Sequence, residues 1–120
     1  MRRVPLSVDV NAGGTGIASV DIRGIIMGVF RAYDGQTSPT VTLFEQYPNA
    51  ERTLLAVSSS AANGYSPVMV NAVDSTNTAQ SGVYVYPVVN GEVKLRVTGG
   101  TAKAAGVVWY LTVKDDPAVP

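Results

Sequence analysis

Between residues 83 and 113 the side chains alternate so regularly that an antiparallel β-sheet is the natural way to accommodate them. Val93, Leu95 and Val97 fall on one side of an extended chain, with Glu92, Lys94, Arg96 and Thr98 on the other. Further on, Trp109, Leu111 and Val113 share one face, while Val108, Tyr110 and Thr112 share its opposite. Asn90-Gly91 stands between two β-rich runs and predicts a tight hairpin, because a type I′ turn needs positive φ at both central residues. The reading is a three-stranded meander with one apolar face. Such a meander is not stable by itself, so the rest of the chain has to cover it.

The remaining segments supply short strands of the same kind. Val4, Leu6, Val8 and Val10 alternate with Pro5, Ser7 and Asp9, which predicts a first strand over about residues 3–10. Pro5 offers no N–H, so this strand sits at an edge or pairs only beyond it. A Gly-rich turn at 11–16 leads to a strand over 17–22, then to a separate buried strand over 23–33 that is apolar without alternation. Residues 34–39 turn the chain. Residues 40–47 form a strand whose two faces are hard to rank, as expected near an edge. Short strands follow over 53–57 and 65–72, the latter carrying Val68 and Val70 inward, and residues 74–82 read as an exposed polar loop. No helical period persists over a useful length. The expectation is one all-β domain over residues 1–120, an antiparallel sandwich or jelly roll of about eight strands. A short N-terminal arm (1–4) and a non-regular tail (114–120) flank it.

Composition narrows function mainly by exclusion. Nine basic and nine acidic residues cancel, so no field draws in nucleic acid or an anionic membrane. At 15% charged residues the chain is well below the roughly 25% of ordinary soluble domains, which hints that part of its surface is covered by self-association. Cysteine and histidine are both absent, removing thiolate metal sites and the usual general base. No export signal or membrane span is read, since Ser7, Asp9 and Asn11 interrupt the apolar residues after Arg2 and Arg3.

Each candidate for chemistry has a simpler account. Gly13-Gly14-Thr15-Gly16 lacks the lysine and following helix of a phosphate loop. Asp9, Asn11 and Gly13 have the spacing that opens a calcium loop, and Asp74, Asn77 and Thr78 could gather around an ion, but turn chemistry explains both sets. The carboxylates are scattered singly, and neither Lys94 nor Lys103 is placed as a base for a serine. Tyr33, Tyr47, Tyr65, Tyr84, Tyr86 and Tyr110, with Trp109, Phe30 and Phe44, could build a sugar-binding platform. The plainer expectation puts Trp109 and about half of the tyrosines in the core. No enzymatic activity, cofactor or metal is expected.

The order of features is itself informative: Tyr33-Asp34-Gly35 at a strand end, Tyr65-Ser66-Pro67 at a strand start, Gly82-Val-Tyr-Val-Tyr-Pro87, and the runs at 89–97 and 106–113. In that order the chain resembles the capsid decoration, or cement, proteins of tailed bacteriophages. The resemblance implies a protein made in the host cytoplasm and docked on the outside of the head, commonly as a homotrimer. Its partners would be the major capsid protein and itself, with no catalytic residue. Within that picture the first contact candidates are Arg2, Arg3, Val4 and Pro5, and Asp116, Pro117, Val119 and Pro120 in the tail. Gln36, Thr37, Asp74 and Asn77 in two loops come second. A neck or tail protein from the same virion, or a lectin-like module, is the alternative.

Overall fold

The computed structural model describes residues 1–73, 76 and 78–115. Among these the chain is all-β, with nine antiparallel strands and no helix. The strands are β1 (Arg2–Val10), β2 (Gly16–Tyr33), β3 (Thr40–Gln46), β4 (Glu51–Val57), β5 (Gly64–Pro67), β6 (Val70–Val73), β7 (Ala79–Val85), β8 (Val88–Thr98) and β9 (Lys103–Asp115). Seven of them form one sheet in the order β1-β9-β2-β8-β3-β4, with β5 added beside β2, and β6 pairs β7 separately.

The long strand β2 makes a sandwich out of this sheet. Its first part, from Gly16 to Ile25, pairs with β8, while its second part, from Gly24 to Tyr33, pairs with β9. Gly24 lies where the two ladders overlap, at a φ of +150° that L-residues rarely adopt, and a register shift follows between Ile26 and Gly28. One strand thus passes from one sheet half to the other, as strands do at sandwich corners. The halves close on each other: β1 touches β8 although β9 and β2 stand between them in the sheet order.

The inward faces then make a single core. It contains Val4, Leu6 and Val8 from β1, Val93, Leu95 and Val97 from β8, and Trp109, Leu111 and Val113 from β9. The alternation of all three strands is therefore used as the sequence implied, and Trp109 is fully buried.

Several boundaries differ from expectation, each for a physical reason. Asn90 and Gly91 are not a turn. They lie inside β8 opposite Arg23 and Ile22, with the Asn90 N–H donating to Glu45 Oε2 at 3.1 Å. The β2 ladder on one side of the dipeptide and the Glu45 carboxylate on the other outweigh its local preference. Nor is there a meander, because β8 and β9 are separated by β2, and the loop after Thr98 crosses between the sheet halves. The expected strands at 17–22 and 23–33 are one. Likewise the expected strand at 65–72 is two, β5 ending at Pro67.

The ambiguous strand β3 is interior, between β8 and β4, with β4 at the edge. Its faces are hard to rank because both are covered. Val41 and Leu43 enter the core, while Phe44 on the other face is sealed by Arg96, whose guanidinium carbon sits 4.4 Å from the ring centre. Arg96 in turn pairs with Glu51 at 2.7 Å. The N-terminal arm is absent too: β1 pairs from Arg2 onward, with Val4 buried opposite Leu111. Four inward apolar residues in alternation hold the strand to its first residues. Pro5 is consistent with β1's place at the sheet edge.

Candidate functional site

Strands β6 and β7 form a hairpin outside the main sheet, and both of its roots leave from the bend of β2. Val68 N–H donates to Met27 O at 3.3 Å, and Ile26 N–H donates to Pro87 O at 3.1 Å. Val68 and Val89, on either side of the hairpin, are buried in the core. A buried carboxylate fixes the returning root. Glu45, only 3% exposed, accepts from the Tyr47 hydroxyl at 2.7 Å and pairs with Arg52 at 2.9 Å, besides binding Asn90 N–H. Arg52 also donates to Val88 O at 2.8 Å. The acceptor Glu45 and the burial around it hold the Tyr47 phenol above its usual pKa. Two backbone bonds and an ion-paired node thus anchor the base of the arm on the rigid sandwich.

Next to that base the arm exposes apolar side chains, while its described outer residues, such as Thr76 and Ser81, are polar and uncharged. Val83, Tyr84 and Val85 of β7, and Tyr86 and Val88 after it, are 41–59% exposed. Among the described residues β7 has one partner strand, β6, with Val70 opposite Val85 and Asn71 opposite Tyr84. The sequence from 64 to 91 holds a single charged residue, Asp74.

A row of rings on the outer face of the sheet leads toward the same place. Pro5, Tyr110, Phe30 and Tyr65 occupy one register line across β1, β9, β2 and β5. Phe30 and Tyr65 are 45% and 58% exposed, and Arg3 stacks on Tyr110 at 5.9 Å. The Tyr65 ring lies over Gly28, where a Cβ would overlap its hydroxyl and ring carbons. Only glycine admits that ring, which in return covers exposed backbone. From Tyr65 the exposed positions continue through Pro67 and Met69 into the arm.

The sequence-derived candidates scatter by comparison. Arg2 is engaged with Asp115 at 2.7 Å, and Arg3, Val4 and Pro5 belong to β1. Gln36 is a structural clamp: its amide donates to Asp34 O at 3.1 Å and Thr101 O at 2.8 Å, and accepts from Thr101 N–H at 2.7 Å. Thr37 is exposed beside it. Asp74, Asn77, Asp116, Pro117, Val119 and Pro120 lie outside the described residues. Asn11 Oδ1 accepts from Gly13 and Thr15 N–H, and Asp9 Oδ1 accepts from Ala105 N–H at 2.8 Å, so both are occupied in turn and bulge geometry. Tyr33 is the one tyrosine packed against the core, fewer than the half expected.

The arm was missed because V-Y-V-Y reads as part of the first strand of the meander, joined to the next by a turn at Asn90-Gly91. The weak signal was the near absence of charge from 64 to 91, which the reading used only for the chain as a whole. A scan against protein-family models finds no match, and neither does a search of curated proteins.

Proposed function

We propose that this chain is a non-enzymatic structural protein of a virion, seated on the outside of a tailed-phage head and holding major capsid protein subunits together. The observation that carries the reading is the anchored, almost uncharged apolar arm on a small sandwich. Contiguous apolar surface of this kind marks a site for another protein. The order of strands and turns that resembles the decoration class adds the choice of partner. The mechanism is physical: apolar area buried against two coat subunits is exposed again whenever they part. At roughly 25 cal/mol per Å² that gross gain is large, association costs reduce it, and repetition over a closed shell restores it.

Particles with and without the protein, heated in parallel, test this directly. Those lacking it release DNA at a lower temperature. Equal release temperatures overturn the cement role. Finding the chain at about a dozen copies in a neck ring, rather than repeated over the head surface, assigns it to the head–tail junction instead.

A second reading is favoured by one observation, the exposed rings of Phe30 and Tyr65 side by side across β2 and β5, a surface on which a sugar ring can stack. Trp109 has no part in it because it is buried. Saturable binding on a glycan array that Tyr65→Ala abolishes, with the fold intact, would establish a lectin-like role.

A further inference from the structure

We propose that the sandwich binds a small monovalent anion, a halide or a carboxylate group, at the interior corner formed by Arg31, Tyr33 and Trp109 beneath the β4–β5 connection. The inference rests on neither the virion reading nor the glycan reading.

Strand register brings the three side chains together. Val29, Arg31 and Tyr33 alternate along β2, and Val29 is fully buried, so the other two follow it on the inward face. Trp109 of β9 stands directly opposite Arg31, and Tyr33 is its diagonal neighbour, opposite Val107. Side chains this long reach one another at both spacings. The β4–β5 connection closes over them. Arg31 Nη1 donates to Ala62 O at 2.9 Å, and Tyr33 N–H donates to Asn63 Oδ1 at 3.0 Å.

Hydrogen bonding at this corner is incomplete in one direction. Arg31 Nε, the Tyr33 hydroxyl and Trp109 Nε1 are each buried, and none has a hydrogen-bond partner among the described residues. A guanidinium and an indole can only donate, and a phenol has a proton to give as well. Donors do not satisfy donors, so what completes the corner is an acceptor. Native interiors hold few such unmet groups, and neighbouring ones call for a specific cause, a bound ion being one.

Charge selects the kind of acceptor. Among the described residues no carboxylate pairs with Arg31, although its Nε is shut off from solvent. Arg52 supplies the contrast: its Nε is unpartnered too, but Glu45 meets its charge at 2.9 Å. A partly desolvated cation without a counter-ion favours an anion over a neutral acceptor such as water. Burial of all three donor atoms keeps that anion small, and a single negative charge matches the single guanidinium.

Thermal unfolding of the full chain in sodium bromide and in sodium formate, against sodium gluconate at equal ionic strength, tests this. Gluconate is too large for the corner. Expected is a saturable rise in the midpoint with at least one of the small anions, roughly 5 °C at about ten-fold excess over its dissociation constant. Which of the two acts tells a halide site from a carboxylate site. Tyr33→Phe removes only the unpartnered hydroxyl and should weaken the anion several-fold, and Arg31→Gln should abolish its effect. Should Arg31→Gln fail to fold, Tyr33→Phe decides. If bromide is the ion that acts, it should also quench Trp109, the one tryptophan of the chain, along the same saturation curve. Equal midpoints in the three salts, as when water alone completes the corner, overturn the proposal. So does a rise that gluconate reproduces, or an anion effect that Tyr33→Phe leaves unchanged.

Discussion

Glu45 is the residue on which the geometry around the arm's base converges. A lone carboxylate within a β-sandwich costs several kcal/mol in lost hydration unless its oxygens are occupied, and here Arg52, Tyr47 and Asn90 N–H occupy them. Removing it strands three partners at once. Because Arg52 remains 37% exposed, water compensates in part, and Glu45→Ala is expected to cost about 2–3 kcal/mol in urea unfolding, below the range for a fully buried pair. The same contact sets a pH signature. The hydrogen bond to Glu45 first, and burial second, raise the Tyr47 pKa above 10.0. A raised folded value means that the contribution is complete below the ordinary tyrosine range and is lost as pH climbs through the folded value. Tyrosinate absorbance should therefore show the Tyr47 phenol ionising late in the wild type, and Glu45→Gln should bring it earlier.

At the scale of elements, β2 carries the architecture, and its glycines could be read from the sequence only as favouring strand over helix. Gly28 is where β5 crosses, and the Tyr65 ring fills the space a side chain would take. Gly28→Ala should cost about 1–3 kcal/mol through that overlap. In a Tyr65→Ala background the loss should shrink, and additive losses in the double-mutant cycle would refute the packing. Half-buried strands were readable because one wet face and one dry face print period two on the sequence, as in β1, β8 and β9. β3 was not, since Arg96 roofs Phe44 on the nominally wet side. Asn90-Gly91 misled for the opposite reason: a strong local turn signal was overridden by pairing with β2 and by the bond from Asn90 N–H to Glu45. The arm was least readable of all, because residues that look like core become surface when no second layer covers their face, whereas edge strand β1 keeps its apolar face covered.

For the whole molecule, nine positive and nine negative charges leave no net attraction or repulsion between copies. Binding of coat shells through the arm should hold or tighten between about 50 mM and 1 M salt, since apolar burial strengthens in excluded salts while ion pairs are screened. Cosedimentation with coat shells at several salt concentrations checks this, and release by salt would mean that charge, not apolar area, joins the partners. The amino-acid sequence alone determined that this is an antiparallel β protein, with Val93, Leu95, Val97, Trp109, Leu111 and Val113 inside, because burial on one face is a local and periodic demand. Only the tertiary structure decided which strands are neighbours, that β2 serves both sheet halves, and that β6 and β7 stand outside the main sheet. Those outcomes depend on pairings between residues far apart in the chain, and exposure is a property of what lies opposite a side chain.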